Sequence, residues 1–567
     1  MKKILLLVFS QALFAEDVVL ITADRIKTDL SKSANSIELI EEETIVSSNA
    51  QNLPELLQSK SDLQAANGSI FLRGTDSAHS LIVLDGVVLN DPTNPNRSFD
   101  ISKLSLNNIQ KIEILKGAQG MLYGANAVGG VIVLTSKTKS TSAFSGSSLA
   151  SYGTYQTYHV GLDTHQRFGL HKVSFGAEHF NTRGFSAANE KRNTNAEADS
   201  EKRSAFNLHS ISDFSAHSSL ELSGRFIHSQ ADLDNCGGAS CDDANNTLAS
   251  EELLTRIKYS KIWNSELFET HFFYNRGHYF HHNKSASYHS INKGEINTFG
   301  INQTNYLSES FTQNINLDYA KESNHLKQYN ENSSVFLYHK YDEGNYLYNF
   351  GLRLDHNKIF KDHLTYKLAV ADRLNDEHLL RLSYSTGFQA PGLFQFLDPT
   401  YGNLNLKPEK SYSLEVGHEW NKKLNQLHTT FFMTTIYDRF LYVESLKKTI
   451  NSGKTYVTGI EESFRTSLSN TSVTWLSKWQ TRRPHLLIKN SFFYQDISFD
   501  CEYVGKRPDI DKNGATVLAP SYFLAHLNYS YKILFIKIKN LLNTEYEEAY
   551  GYGTGGRIIT VGVKKSF

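Results

Sequence analysis

From about residue 140 to the carboxyl terminus, short stretches of this chain alternate apolar and polar residues with a period of two. Successive side chains of a strand point to opposite faces, so this period predicts extended structure with one apolar face and excludes a helical reading. In 219–228 (SLELSGRFIH), Leu220, Leu222 and Phe226 share one face while Glu221, Ser223 and Arg225 take the other. Phe523, Ala525, Leu527, Tyr529 and Tyr531 repeat the pattern. In the closing stretch RIITVGVKKSF, Ile559, Val561, Val563 and Phe567 fall together, opposite Ile558, Thr560, Gly562, Lys564 and Ser566. Lys565 sits on the apolar face and is tolerable there near an interface, where its stem can lie on apolar surface and its ammonium reach water.

So many one-sided strands need a common apolar surrounding. Roughly 430 residues at about 20 per strand and connection give on the order of 22 strands, enough for a wide closed barrel. Aromatic residues make up 12% of the chain, with Tyr 30, Phe 34 and only 9 prolines, yet mean hydropathy is −0.40. A transmembrane barrel has this signature: lipid-facing residues alternate with polar lumen-facing ones, and aromatic girdles mark both interfaces. A soluble sandwich or propeller accounts for neither the aromatic terminus nor the first domain described below.

The amino terminus agrees with export. Lys2 and Lys3 precede an apolar run from Ile4 to Phe9, and small or apolar residues continue to Ala15 before Glu16 and Asp17. This reads as a signal peptide over residues 1–15, too short in its apolar part to span a bilayer. No later apolar run reaches eighteen residues, which excludes helical membrane spans. The net charge of −1 gives no reason to expect a nucleic-acid partner. Of three cysteines, Cys236 and Cys241 are close enough to close a small loop by a disulfide after export, leaving Cys501 unpaired.

Residues 16–139 read differently, as a small mixed α+β domain with short apolar strands, a helix over 50–58 and glycines at turns. A lumen as wide as 22 strands would have to be filled, and this domain is the natural filler. Its glycine-rich stretch 111–135 lacks the Gly-Lys-Ser/Thr ending of a phosphate-binding loop. Neither Gly-x-Ser-x-Gly nor His-Glu-x-x-His occurs, so the chain is expected not to be an enzyme.

Four stretches carry a family resemblance. Asp17, Val18, Val19, Leu20, Ile21, Thr22 and Ala23 form a β-prone segment at the expected new terminus, able to add as a strand to the edge of a partner sheet. The segment 69–90 (SIFLRGTDSAHSLIVLDGVVLN) has Arg-Gly and Asp-Gly turns; 111–135 (KIEILKGAQGMLYGANAVGGVIVLT) departs from the family pattern at Lys116 and Ala118, where Arg and Pro are commoner. QAPGLFQF and YGNLNLKPEK lie between Phe388 and Lys410, and NLLNTEYEEAYGYGTGGRIITVGVKKSF ends the chain. Together these resemble the TonB-dependent outer-membrane receptors, and the first and last are most similar to the cobalamin receptors among them.

The resemblance implies a fold and a mechanism. The fold is an all-β transmembrane barrel of about 22 antiparallel strands over 140–567, holding an N-terminal α+β plug domain over 31–139, with residues 16–30 carrying a TonB box. The mechanism is active transport of a scarce nutrient, with Asp17 to Ala23 pairing with TonB, the partner that transmits energy from the inner membrane. A plug of about 120 residues rules against a passive porin, since it would obstruct the lumen. The implied cargo is a cobalamin-type corrinoid, with ferric siderophores or haem as the alternatives within the family.

Ligand residues are expected at the plug apex. The polar, turn-rich segment 90–97 (NDPTNPNR) offers Asn90, Asp91, Asn94, Asn96 and Arg97, and a second hairpin offers Asn67. In the barrel, 232–243 (DLDNCGGASCDD) gathers Asp232, Asp234, Asp242 and Asp243 beside Asn235, oxygen ligands suited to a structural Ca²⁺. Cobalamin receptors bind calcium through loop carboxylates, so the resemblance implies the same of this loop; no cofactor is required otherwise. His278, His281, His282 and His289 form a histidine-rich stretch that could ligate haem iron or zinc, or be ordinary surface residues.

Overall fold

The computed structural model describes residues 19–20, 25–26, 28–29, 33–60, 63–66, 69–138, 143–191, 197–234, 245–263, 267–285, 289–511 and 514–567. The signal-peptide segment and both Cys236 and Cys241 lie outside these residues. Among the described residues no helix is long and apolar enough to cross a membrane.

Twenty-two antiparallel strands close into a barrel, each pairing with the next in sequence, and the first, Phe144–Gly153, pairs with the last, Ile558–Ser566. Closure satisfies every strand edge, which a bilayer demands because its hydrocarbon offers no hydrogen bonds. The period-two pattern maps onto lipid and lumen. In strand Tyr346–Asn357 the exposed residues Tyr346, Tyr348, Phe350, Leu352 and Leu354 alternate with the buried Leu347, Arg353 and Asp355. Leu222 and Phe226 are likewise exposed while Arg225 and Ile227 are buried, so the shared apolar face found in the sequence looks outward to lipid. Phe567 stacks on Phe144 at 5.7 Å across the closing seam, and Lys565 lies next to the end of its strand.

The strand ends define two sides. At the end holding the carboxyl terminus the connections are tight, as at 169–170, 344–345 and 532–533; at the other they lengthen to 183–200, 390–408, 505–521 and 540–557. Short turns face the periplasm and long loops the exterior in barrels of this kind.

The domain inside the barrel is built on a five-stranded mixed sheet, in the order Ile37–Glu41, Ile109–Lys116, Gly130–Ser136, Ser80–Leu84, Val87–Val88. Its core joins Leu53, Leu56, Leu57, Leu72, Ile112, Ile114 and Ile132 to the barrel residues Ile227, Leu254 and Tyr279. The helix expected over 50–58 begins later, at Leu53–Lys60, because Asn52 caps it: the Glu55 N–H donates to Asn52 Oδ1 at 3.0 Å, and the Gln51 N–H to Glu55 Oε2 at 2.7 Å. A further short helix, Glu42–Ser47, carries no apolar repeat long enough to announce it.

Both predicted turns are present. Asp85 and Gly86 have φ of 50° and 82°, the consecutive left-handed pair that the two-residue hairpin between Ser80–Leu84 and Val87–Val88 requires, and Arg73 and Gly74, with 48° and 77°, make a tight turn closed by the Thr75 N–H on the Leu72 carbonyl. Asp85 is fixed by the Ser136 N–H and hydroxyl, both at 2.7 Å, and a side chain on Gly86 would collide with the Arg256 guanidinium of the barrel wall. Gly86→Val should therefore destabilise the plug by about 2 kcal/mol while the barrel remains closed. Limited proteolysis of the folded protein checks this: the plug should be cut faster than in the parent, and equal cutting would refute the strain argument.

Candidate functional site

The plug is held to the wall by ion pairs rather than by a continuous apolar seam. Arg73, aimed by the left-handed turn, reaches Glu415 and Glu461, each at 2.9 Å, with its guanidinium 4.8 Å from the Phe432 ring. Lys116 adds contacts to Glu461 at 3.4 Å and to the plug's own Glu38 at 3.3 Å, so the Lys found where the family more often has Arg still supplies the charge. Around the lumen follow His79 to Glu409 at 2.6 Å, Lys103 to Glu252 at 2.7 Å, Lys60 to Asp500 at 2.6 Å and Lys537 to Glu55 at 3.1 Å. Such contacts can be exchanged for water, so this part of the interface can open without exposing apolar surface, in contrast to the patches at Ile227, Leu254 and Tyr279 and at Phe336 and Tyr338.

On the remaining side the plug stands off the wall. A crevice of about 520 Å³ runs beside strands of the 201–357 region, lined by Arg25, Gly86, Arg256 and Arg353 among others. At its edge the residues just after the amino-terminal segment are anchored: Ile26 is buried with Met121, Leu122, Phe336 and Tyr338, and Arg25 lies 5.2 Å from the Tyr123 ring and 5.4 Å from Phe336. Val19–Leu20 pairs antiparallel with Thr28–Asp29, so two residues of the segment expected to meet a partner already form a strand with their own chain. The others, Asp17, Val18, Ile21, Thr22 and Ala23, lie outside the described residues.

The plug apex faces the exterior. Thr93 meets His281 Nδ1 at 3.0 Å near the outer end of strand Phe268–Lys284. Asp91 is buried; it accepts the Thr93 N–H and hydroxyl at 2.8 and 2.6 Å and lies 3.2 Å from His281 Nε2. Arg97 is buried too, donating to Glu322 and, at 3.1 Å, to the Ala390 carbonyl. These two residues brace the apex against the wall. Asn94 and Asn96 are half-buried and linked to Ser98; Asn90 lines the crevice; Asn67 lies outside the described residues. Beside them a cavity of about 270 Å³ opens between the two apical loops, lined by Ser69, Ser77, Asn94, Ser98, Asp100 and Ser102. Its serine hydroxyls, the Asn94 amide and the Asp100 carboxylate offer a polar ligand face beside the apolar Ile70, Ile82, Phe99 and Ile101.

The acidic loops meet outside the barrel. Asp234 joins Glu197 and Asp199 from the preceding loop, their carboxylate oxygens within 4.8 Å of one another. Asp232 instead accepts the Ser200 N–H and hydroxyl at 3.1 and 2.6 Å; Asp242 and Asp243 lie outside the described residues. Burial pushes Asp199 up to about 6, reinforced by Asp234 and Asp232 and opposed by the Ala187 N–H it accepts. Glu197 and Asp199 escaped the sequence reading because they stand more than thirty positions from the acidic loop, with no spacing rule to join them.

The histidines do not gather. His281 turns inward to Asp91, His278 pairs with Glu295 at 3.0 Å, and His282 and His289 meet each other at 2.6 Å. Cys501 is a free, half-buried thiol on a barrel strand.

A plug seated by exchangeable ion pairs in a closed 22-stranded barrel, with long outer loops and an anchored amino-terminal strand, defines a gated outer-membrane transporter. The chain belongs to the TonB-dependent receptors: the model of the TonB-dependent receptor-like β-barrel matches residues 135–541 and that of the TonB-dependent receptor plug domain residues 29–131. It is 27% identical to a vitamin B12 transporter, BtuB, of Vibrio cholerae serotype O1, over 97% of this chain and 96% of that protein. Among solved structures it is similar to the siderophore receptor PirA of Acinetobacter baumannii, with TM-score 0.82 and 14% identity over 97% of this chain and all of that one. It is also similar to a mutant of the ferric enterobactin receptor PfeA of Pseudomonas aeruginosa, with TM-score 0.79 and 14% identity over 95% of this chain and 99% of that one. At that identity these two structures establish the shared fold alone.

Proposed function

We propose that this receptor imports a cobalamin-type corrinoid, driven by TonB. The observation that carries the cargo is the end-to-end match with a vitamin B12 transporter, which spans plug, barrel and closing hairpin alike. The apex is compatible with it, since the 270 Å³ recess presents hydroxyls, an amide, one carboxylate and apolar side chains rather than a ring of cations or converging histidines. A binding panel of cyanocobalamin, haem and several ferric siderophores tests the assignment. Tight binding of cyanocobalamin alone is expected; tight binding of haem or a siderophore without cyanocobalamin would overturn it.

Calcium belongs to the same proposal. Glu197, Asp199 and Asp234 supply hard oxygen donors from two neighbouring outer loops, and a divalent cation would offset the burial and the neighbouring carboxylates that together hold Asp199 near 6. The sign follows from that displacement. Asp199 binds its proton more tightly folded than unfolded, so the loop loses stability as pH rises toward and through 6, and a cation that replaces the proton binds better over the same window. Calcium affinity should rise about tenfold from roughly pH 5 to roughly pH 7 and then level off. Titration calorimetry of the intact receptor reads this directly, and Asp199→Asn should abolish the dependence. A flat profile would remove calcium from the site.

A further inference from the structure

Residues 477–485 connect strand Ser469–Leu476 to strand Leu486–Tyr494 at the outer end of the barrel. The connection folds back on itself, with Gln480 bridged to Arg483 and Arg482 held at a φ of 65°, and its two consecutive arginines end on different bodies. Arg483 turns into the lumen. It is 6% exposed, forms an ion pair with Asp76 of the plug, donates to the Thr75 carbonyl at 3.1 Å and lies 4.4 Å from the Phe71 ring. It thus touches both plug segments that border the apical recess, since Ser69 and Ile70 precede Phe71 and Ser77 follows Asp76. Gln64 of the plug adds a bond to the Arg482 carbonyl at 3.0 Å.

Arg482 turns the other way, onto the outer hairpin formed by Arg507–Ile510 and Thr516–Ala519. Its N–H donates to the Pro508 carbonyl at 2.6 Å and its guanidinium to Asp509 at 3.0 Å. Asp509 is 1% exposed and also accepts the Ile510 N–H at 2.8 Å and the Tyr550 N–H at 2.7 Å. Arg507, buried beside it, donates to the Pro520 carbonyl at 3.0 Å and to the Glu547 and Glu548 carbonyls. The 183–200 loop joins through the Asn189 N–H on Gly551 at 3.0 Å and the Gly553 N–H on Ala187 at 2.9 Å. The loops 183–200, 505–521 and 540–557 are therefore one hydrogen-bonded cluster, and the 480–483 turn ties that cluster to the plug.

We infer that Arg482 and Arg483 are a positioning pair that couples the outer loop cluster to the plug apex, so that the loops hold this arrangement only while the plug is seated. The physical reason lies in the burial of both charges. Without Asp76, Arg483 becomes a buried guanidinium with no carboxylate, and its Nε already lacks a partner, so it must swing toward water. Adjacent α-carbons are only about 3.8 Å apart, and a hydrogen bond is lost within about 1 Å of stretch, so Arg482 cannot keep its hold on Pro508 and Asp509 while its neighbour moves. Asp509 is then a buried carboxylate without its cation, which loosens the cluster in turn. Asp76 also takes Arg439 of the barrel wall at 2.8 Å, a pair that reaches no loop. The movement that withdraws the plug thereby frees the loops as well, and cargo held between them is let go from both sides at once.

The test is hydrogen exchange read by mass spectrometry on the full-length receptor in detergent, each variant first shown to be folded by heat-modifiable electrophoretic mobility. Arg483→Gln and Asp76→Asn should each speed exchange across 507–519 and 547–552 about tenfold, and Arg483→Lys, which keeps the charge, should lie between Arg483→Gln and the parent. Coupling is reciprocal, so Asp509→Asn, made at the loop end, should speed exchange in plug residues 69–80. Glu252→Gln, which releases Lys103 at a different plug contact, should speed exchange in the plug alone. Loops exchanging at the parent rate in Arg483→Gln, an Arg483→Lys rate equal to that of Arg483→Gln, an unchanged 69–80 in Asp509→Asn, or loops loosened as much by Glu252→Gln would each overturn the coupling.

Discussion

Deletion of Asp17 to Ala23 should abolish energised uptake of the proposed cargo, followed as labelled cyanocobalamin, while leaving its binding at the cell surface unchanged. The expectation rests on chain geometry. Val19–Leu20 already holds strand form by pairing with Thr28–Asp29, and a partner strand can replace that pairing bond for bond, because backbone donors and acceptors carry the affinity. Arg25 and Ile26, sunk among Phe336, Tyr338 and Met121, lie just beyond the deleted residues and keep the plug seated, so the apex and its ligand contacts are untouched. Ile21→Pro should act in the same direction by removing one donor and restricting the backbone. Uptake at the parent rate in the deletion would eliminate TonB pairing at this segment as the source of work.

The second large effect concerns the plug's seat. Arg73→Ala leaves Glu415 and Glu461 buried in the lumen, with Lys116 still paired to Glu461, a loss of the kind that costs about 3–5 kcal/mol when one member of a buried pair is removed. The barrel strands keep their ladder of backbone bonds, so the cost falls on the plug's docking. The variant should conduct ions in planar bilayers and admit large antibiotics that the parent excludes. Arg73→Lys should recover part of the seal, since a point charge reaches one carboxylate but cannot bridge two. An Arg73→Ala receptor as tight as the parent would shift the seal to the remaining pairs, His79 with Glu409 and Lys103 with Glu252.

Both predictions bear on one property of the molecule, that a polar seam joins two parts of unequal stability. The barrel is closed and continuous; the plug has its own apolar core, which reaches the wall at Ile227, Leu254 and Tyr279, and elsewhere meets the wall largely through groups that water can satisfy. Pulling on the amino-terminal strand therefore works first against Arg25 and Ile26 and against exchangeable ion pairs. The crevice beside Arg256 and Arg353 already separates plug from wall on that side.

What the sequence determined by itself was whatever depends on near neighbours. Period-two alternation is a property of adjacent residues, so the strands, their outward face and the approximate strand number could be read from it. The Arg73-Gly74 and Asp85-Gly86 turns were legible for the same reason, since a left-handed pair needs those residue types side by side. The tertiary structure alone decided which distant residues meet. Arg73 and Glu461 are 388 positions apart, and nothing local to either tells of the other. Asp91 and Arg97, offered by the sequence as ligand donors, are taken up by His281 and Glu322 of the wall, while Asp234 finds Glu197 and Asp199 in another loop. Closure of the barrel sets these meetings: it fixes every strand's register against its neighbours, and with it the height and direction of each lumen-facing charge.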